Sequence, residues 1–320
     1  MKIKKIGILT SGGDAPGMNA VIHSVVKSAI KNKLEVFGIY RGYNGLIHGD
    51  IKPLHLKDVE NITQRGGTIL YSARCLGFKT QEGLSSAKKT CVEKGIDALI
   101  VVGGDGSFRG AYTLYKEGVP CVGLPGTIDN DISCTDYTIG FDTAVNTAIS
   151  MVDKLNDTVT SHDRCSVVEV MGRNSGYIAL NVGISCAANY IVTREFGFDE
   201  KDLFKKMKEA KEKGVNHFII IVAEGILDVS KLAEKIEKEV GVESRATVLG
   251  HVQRGGSPTM KDRVIGARFG VKAVELLLSG EYGKIVGIKN DELIAYDIPN
   301  GLEMKKSLSR KLYEMAQGLY

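Results

Sequence analysis

Ile6-Gly7-Ile8-Leu9-Thr10-Ser11-Gly12-Gly13-Asp14-Ala15-Pro16-Gly17-Met18-Asn19 is the stretch that decides the fold. A short apolar run ends in glycines and gives way, at Met18 or Asn19, to a helical pattern reaching Lys31. Apolar runs of this kind recur at 36–40, 98–102, 122–124, 167–170, 190–193 and 218–222. Several are apolar on consecutive residues, as strands buried on both faces of a parallel sheet should be. Helical patterns at 84–94, 141–155, 201–213, 229–240 and about 262–279 alternate with them. Strand and helix in alternation predict right-handed βαβ units and an open, doubly wound α/β fold. Ligands of such folds sit at the carboxyl ends of the strands.

A chain of 320 residues leads us to expect two domains, and its 43% hydrophobic and 25% charged residues match soluble globular proteins. The longest apolar runs, 98–102 and 218–223, are too short to cross a bilayer, and residues 1–10 lack a signal-peptide pattern. Neither a membrane nor a secreted protein is expected; the expected location is cytoplasmic. Net charge is +4, from 42 Lys and Arg against 38 Asp and Glu, spread too evenly to predict a nucleic-acid partner. The six cysteines show no CxxC pairs, so neither a disulfide framework nor a zinc site is expected. Composition places a division only somewhere in 135–160, and the stretch after Lys289 is less periodic.

Three Gly-rich loops fall at strand ends. Gly12 to Gly17 lets backbone N–H groups approach a phosphate at a helix N-terminus, although a plain tight turn has the same composition; it is neither GxGxxG nor a Walker A loop. Gly103-Gly104-Asp105-Gly106-Ser107 sets one carboxylate among backbone donors, suited to Mg2+ against phosphates or to capping a helix. Pro125-Gly126-Thr127-Ile128-Asp129-Asn130-Asp131 carries two carboxylates, one able to take a proton from a hydroxyl while the other serves a metal. An acidic turn capping the next helix fits that third loop taken alone, but three such loops at one sheet edge favour chemistry. Arg164, Arg173, Arg245 and Arg254 are dispersed near strand ends and turns, and guanidinium forks match phosphate.

Ser11 to Asn19, Gly103 to Ser107, Pro125 to Asp131, Met171-Gly172-Arg173 and His251-Val252-Gln253-Arg254-Gly255-Gly256 together resemble bacterial ATP-dependent 6-phosphofructokinases, in order and over nearly the whole chain. The resemblance implies transfer of the ATP γ-phosphoryl to the 1-hydroxyl of fructose 6-phosphate, with Asp129 as general base. Thr127, Arg173 and the Gly12 backbone would steady the transferring group, and Asp105 would hold Mg2+. Gly12, Tyr43, Arg74, Cys75, Gly104, Asp105, Gly106, Ser107 and Gly110 match the family's nucleotide side. Thr127, Ile128, Asp129, Met171, Gly172, Arg173, Glu224, His251, Val252, Gln253 and Arg254 match its sugar-phosphate side. Arg164 and Arg245 match arginines lent across a subunit interface, implying a homotetramer. An ATP-binding lobe would take 1–139 plus 252–304 and a sugar-phosphate lobe 140–251 plus 305–320, with the active site in the cleft between them.

Pyrophosphate-dependent relatives commonly carry Asp where this chain has Gly106 and Lys where it has Gly126, so both positions read as ATP-type. The effector positions depart from the family pattern: His23, Lys27, Asn156 and Asn189 replace three arginines and a metal-associated Glu, and the basic segment reads Lys213-Gly214-Val215-Asn216-His217. Weak control by ADP or phosphoenolpyruvate is expected. The competing readings are a pyrophosphate donor, another sugar phosphate, or a catalytically silent binding subunit; the last would be expected to lose Asp129, Asp105 or Arg173.

Overall fold

A computed structural model describes residues 3–319. Residues 1, 2 and 320, which the expected lobes include, lie outside the described residues. The strands are β1 (Lys5–Thr10), β2 (Glu35–Ile39), β3 (Ile51–Leu54), β4 (Ala98–Gly103), β5 (Cys121–Pro125), β6 (Cys165–Val170), β7 (Tyr190–Val192), β8 (Phe218–Ala223), β9 (Ser244–Val248), β10 (Lys284–Lys289) and β11 (Glu292–Asp297). The helices are α1 (Met18–Lys31), α2 (Tyr43–His48), α3 (Gln81–Lys94), α4 (Asp105–Lys116), α5 (Phe141–His162), α6 (Tyr177–Ser185), α7 (Glu200–Glu212), α8 (Val229–Val240), α9 (Met260–Ser279), α10 (Ile298–Glu303) and α11 (Arg310–Leu319).

The chain forms two compact units. Among the described residues the first comprises 3–128, Ile132–Thr143 and Arg254–Lys306; the second comprises Asp129–Asp131, Ala144–Gln253 and 307–319. In the first, seven strands run in the order β11-β10-β5-β4-β1-β2-β3, parallel except for the edge pairs β10–β11 and β2–β3. Every residue of β4 is buried, which explains its unbroken apolar run; fully burying an aliphatic side chain contributes roughly 1.5–3 kcal/mol. The second unit has a four-stranded, wholly parallel sheet in the order β7-β8-β6-β9. Its core joins Cys165, Val167, Leu203, Phe218, Ile220, Leu232 and Ile236.

Helix starts follow side-chain chemistry. Thr80, Asp199, Asp228 and Thr259 each accept a backbone N–H in the first turn of α3, α7, α8 and α9. α1 starts differently: Gly17, at φ 104, precedes it with no side-chain cap, and backbone carbonyls take over, Ala15 accepting from Met18 N–H (3.2 Å) and Gly17 from Ala20 N–H (3.0 Å).

The structure adds elements that the sequence pattern hid. α4 starts inside Gly103 to Ser107, glycines that read as a turn, yet Phe108, Ala111 and Leu114 are buried along one face. The stretch after Lys289 begins with β11, which pairs back on β10 in an antiparallel hairpin turned by Asn290 and Asp291 in the left-handed region, is only half-buried at its centre and so lacks clear alternation, and leads into α10 and α11. α5 continues to His162, seven residues beyond the expected end.

Candidate active site

In the first unit, β1 delivers Gly12 and Gly13 into the turn before α1. Gly12 is at φ 94, a conformation open to glycine. The 71–74 segment straps this turn: Thr10 Oγ1 donates to the Tyr71 carbonyl (2.8 Å) and Ser72 Oγ to the Gly12 carbonyl (2.7 Å). The Gly12 N–H points at the Ala73 carbonyl from 3.5 Å, at the outer limit of a hydrogen bond, so it is easily redirected to another acceptor. Arg254 donates from Nη1 to the Asp14 carbonyl (3.1 Å), placing this guanidinium on the same turn.

The second loop follows β4. Asp105 is the first residue of α4, after Gly104, and is exposed at the helix's positive end. Ser107 is buried, with its Oγ on the Ser11 carbonyl (3.2 Å), and links this loop to the first. Tyr43, matched to the nucleotide side, is buried beside this loop: its hydroxyl donates to the Ser107 carbonyl (2.6 Å) and its ring stacks on Phe78 at 4.0 Å. Burial pushes its pKa up, which keeps it a hydrogen-bond donor. Gly110 leans on that Tyr43–Phe78 pair, since a Cβ there would stand 3.0 Å from both rings. Arg74 is exposed and Cys75 half-buried just beyond the strap.

Among the described residues no cluster of three or more His, Cys, Asp or Glu side chains forms a cage for a metal. An exposed carboxylate such as Asp105 nevertheless fits Mg2+, which binds through one or two carboxylates and takes its other ligands from water and phosphate oxygens.

The third loop follows β5. Thr127, half-buried in the first unit, has its carbonyl held by Thr138 Oγ1 (2.6 Å), and the neighbouring Ile128 is buried in the interior. Asp129 belongs to the second unit and is 5% exposed. Its carbonyl accepts the Ser175 hydroxyl at 2.6 Å. Ser175 lies in the 171–175 turn after β6, which presents an exposed Arg173 at φ 58. Glu224 Oε1 accepts the N–H groups of Gly172 (3.2 Å) and Arg173 (2.6 Å), and Gln253 Oε1 that of half-buried Met171 (3.2 Å). Gln253 is fully buried and therefore supports the turn from within, while His251 and Val252 on the same 3-10 turn are exposed. Partial burial and the nearby Glu224 and Asp228 carboxylates raise the pKa of Glu169 on β6.

Arg164 and Arg245 meet on one carboxylate. Glu243 receives Arg164 Nε at 2.9 Å and Arg245 Nη2 at 2.5 Å, and Arg164 chiefly holds the Glu243 carboxyl below the usual range. The effector positions are scattered. His23 Nδ1 bonds the Val59 carbonyl (2.9 Å), with Lys27 exposed on the same helix. Asn189 Oδ1 accepts the Ile219 N–H (2.8 Å), Asn156 is half-buried on α5, and Lys213 and His217 are exposed between α7 and β8. The sequence pattern singles out neither Ser72 nor Ser175. A serine beside glycines carries no periodic signal, and only the fold brings each one to a distant carbonyl.

Gly-rich turns, a carboxylate at a helix start and a buried Asp, each following a parallel strand, define a doubly wound α/β enzyme of the phosphate-handling class. Residues 5–277 match the phosphofructokinase family model, and the chain belongs to that family. It is 52% identical to ATP-dependent 6-phosphofructokinase 1 of Clostridium perfringens over 317 residues, 99% of each chain. It is 51% identical to the ATP-dependent 6-phosphofructokinase of Halalkalibacterium halodurans over 317 residues, again 99% of each. The solved phosphofructokinase of Saccharomyces cerevisiae superposes with a TM-score of 0.86 at 36% identity over 94% of this chain, which spans 45% of the yeast chain. A pyrophosphate-dependent phosphofructokinase of Marinobacter aquaeolei reaches the same TM-score at 20% identity, over 99% of this chain and 91% of that one, a likeness of fold alone.

Proposed function

We propose that this chain catalyses the reaction named for its near full-length bacterial relatives, that of an ATP-dependent 6-phosphofructokinase. It is a kinase, a phosphotransferase of glycolysis. The observation that carries the residue assignments is the joining of Asp129 to the 171–175 turn that presents Arg173. Asp129 takes the proton from the 1-hydroxyl of fructose 6-phosphate. That oxygen forms the new bond to the γ-phosphorus of ATP as the bond to the β–γ bridging oxygen breaks, giving fructose 1,6-bisphosphate and ADP. Thr127, Arg173 and the Gly12 N–H steady the transferring group, mainly by position and charge. The Gly12 N–H leaves its long contact with Ala73 to do so. Asp105 would hold Mg2+, which when bound would neutralise charge on the nucleotide phosphates.

Arg74, Cys75 and the turn from Gly104 to Ser107 serve the nucleotide in the lobe 1–139 plus 252–304. Met171, Gly172, Glu224 and His251 to Arg254 serve the sugar phosphate, chiefly in the lobe 140–251 plus 305–320. Arg164 and Arg245 reach a neighbouring subunit's site in a homotetramer, and their shared hold on Glu243 keeps them together for that purpose. The enzyme works in the cytoplasm, with weak ADP and phosphoenolpyruvate control.

A coupled assay with fructose 6-phosphate and Mg2+ tests this, comparing ATP with pyrophosphate and wild type with Asp129→Asn. Turnover with ATP alone, reduced by orders of magnitude in the variant, is the expected result. Turnover with pyrophosphate would overturn the donor assignment, and an unimpaired Asp129→Asn would overturn the base.

A further inference from the structure

The proposed base and the arginine of the proposed site lie on separate loops of the second unit, and one hydroxyl joins them. Ser175 is 8% exposed, and its Oγ lies 2.6 Å from the Asp129 carbonyl and 3.1 Å from the Gly172 carbonyl. A hydroxyl has one proton, and the shorter contact directs it to Asp129. The Ser175 N–H closes the turn on the Gly172 carbonyl at 2.9 Å. A serine in a turn ordinarily bonds its own backbone neighbours; this one reaches 46 residues back along the chain.

The turn it closes is tightly specified. Gly172 is at φ 146, where a Cβ would stand 2.4 Å from the Ser175 carbonyl oxygen, and Arg173 is in the left-handed region. Glu224 fixes that backbone through two N–H groups. Asp129–Asp131 belong to the second unit, whereas Ile128 and Ile132 on either side belong to the first. The base therefore sits on a three-residue segment that groups with the second unit, and Ser175 ties that segment to the Arg173 turn.

We infer that Ser175 is a positioning residue of the phosphoryl transfer: its hydroxyl sets the Asp129 backbone relative to Arg173, so that base and charge-stabilising arginine keep one geometry. This rests on the reading of Asp129 as general base. Loss of the hydroxyl leaves the main-chain carbonyl of Asp129 without this donor and lets the base drift, and misplacement by an ångström reduces turnover far more than binding.

The test is a double-mutant cycle with steady-state kinetics on the full chain, using ATP, fructose 6-phosphate and Mg2+. Ser175→Ala is expected to lower kcat by about 10- to 100-fold while KM for both substrates stays within about twofold. Ser175→Cys keeps a weak donor of similar shape and is expected to recover part of kcat. It also stands in for the alanine variant should that variant, judged by circular dichroism, not fold. In an Asp129→Asn background, Ser175→Ala is expected to cost less than about twofold, because the group it positions is already gone. Equal losses in both backgrounds, or an Ala variant with wild-type kcat, would overturn the proposal alone. A wild type inert with ATP, or an Asp129→Asn variant as active as wild type, would overturn the reading of the base and this proposal with it.

Discussion

The guanidinium of Arg254 lies across Gly13: its Nη1 stands 2.6 Å from where a Cβ at residue 13 would be. Gly13 lacks the positive φ of its neighbours Gly12 and Gly17, so its backbone accepts alanine and only the arginine must move. Gly13→Ala is therefore expected to fold, with stability within about 0.5 kcal/mol of wild type, while displacing Arg254. Losing a charge-assisted contact worth about 1.5–3 kcal/mol raises KM for fructose 6-phosphate by about 10- to 100-fold. Arg254→Ala should show the same loss, and the double variant no more. Additive losses in steady-state kinetics would show that the two residues act separately.

Donor choice divides into a permissive and a forbidding position. Nothing lies within 4 Å of a Cβ built at Gly106, whereas one at Gly126 would stand 2.9 Å from Val102 Cγ1 and 3.2 Å from Met18 Cε. Gly106→Asp is expected to leave the fold intact and to lower turnover with ATP at least about tenfold, through a carboxylate facing nucleotide phosphates. Gly126→Lys should destabilise the protein by about 1–3 kcal/mol as well, through overpacking. Thermal melts of both variants separate the two effects; a Gly126→Lys variant as stable as wild type would sink the steric argument.

His23 and Asn189 already hold backbone partners, Val59 and Ile219, and present no guanidinium or carboxylate where effector-controlled relatives carry them. Each missing charge-assisted phosphate contact removes about 1.5–3 kcal/mol. Micromolar phosphoenolpyruvate or ADP is thus expected to leave the fructose 6-phosphate saturation curve unmoved. A several-fold shift in its midpoint would contradict this.

Much of this molecule is legible from local chemistry. β4 and β8 are buried on both faces and announce themselves as unbroken apolar runs; α8 starts after Asp228 and ends before Gly241, as its pattern implies. Asp129, Asp105 and Arg173 stand out because Gly-rich loops at strand ends have few other uses for charged residues. What stayed hidden depends on the fold. β9 packs beside β6 with mixed burial and no alternation, and the stacking of Tyr43 on Phe78 depends on the fold rather than on local pattern. Ser72 and Ser175 act on carbonyls 60 and 46 residues away, and no spacing rule spans such separations.

Asp262 offers a test at the start of α9, where it packs against Gly17. It is fully buried and accepts hydrogen bonds from Gly140 N (2.8 Å), Thr143 N (2.9 Å) and Thr143 Oγ1 (2.5 Å), fastening the start of α9 to the start of α5. Burial pushes its carboxyl up to about 6, against the pull of those donors. An unfolded aspartate titrates near about 3.9, so between these values the folded state binds more protons than the unfolded one. Stability from this group is complete below about pH 4 and is lost as pH rises through about 6, opposite in sign to a salt-bridged carboxylate. Asp262→Asn cannot ionise and also loses acceptor capacity for Thr143, so it is less stable than wild type throughout. The wild-type advantage is expected to shrink by about 1 kcal/mol between pH 5 and 7, measured by urea unfolding at fixed protein concentration. An advantage that grew over that range would mean that the folded protein prefers the ionised carboxylate, with its hydrogen bonds outweighing burial.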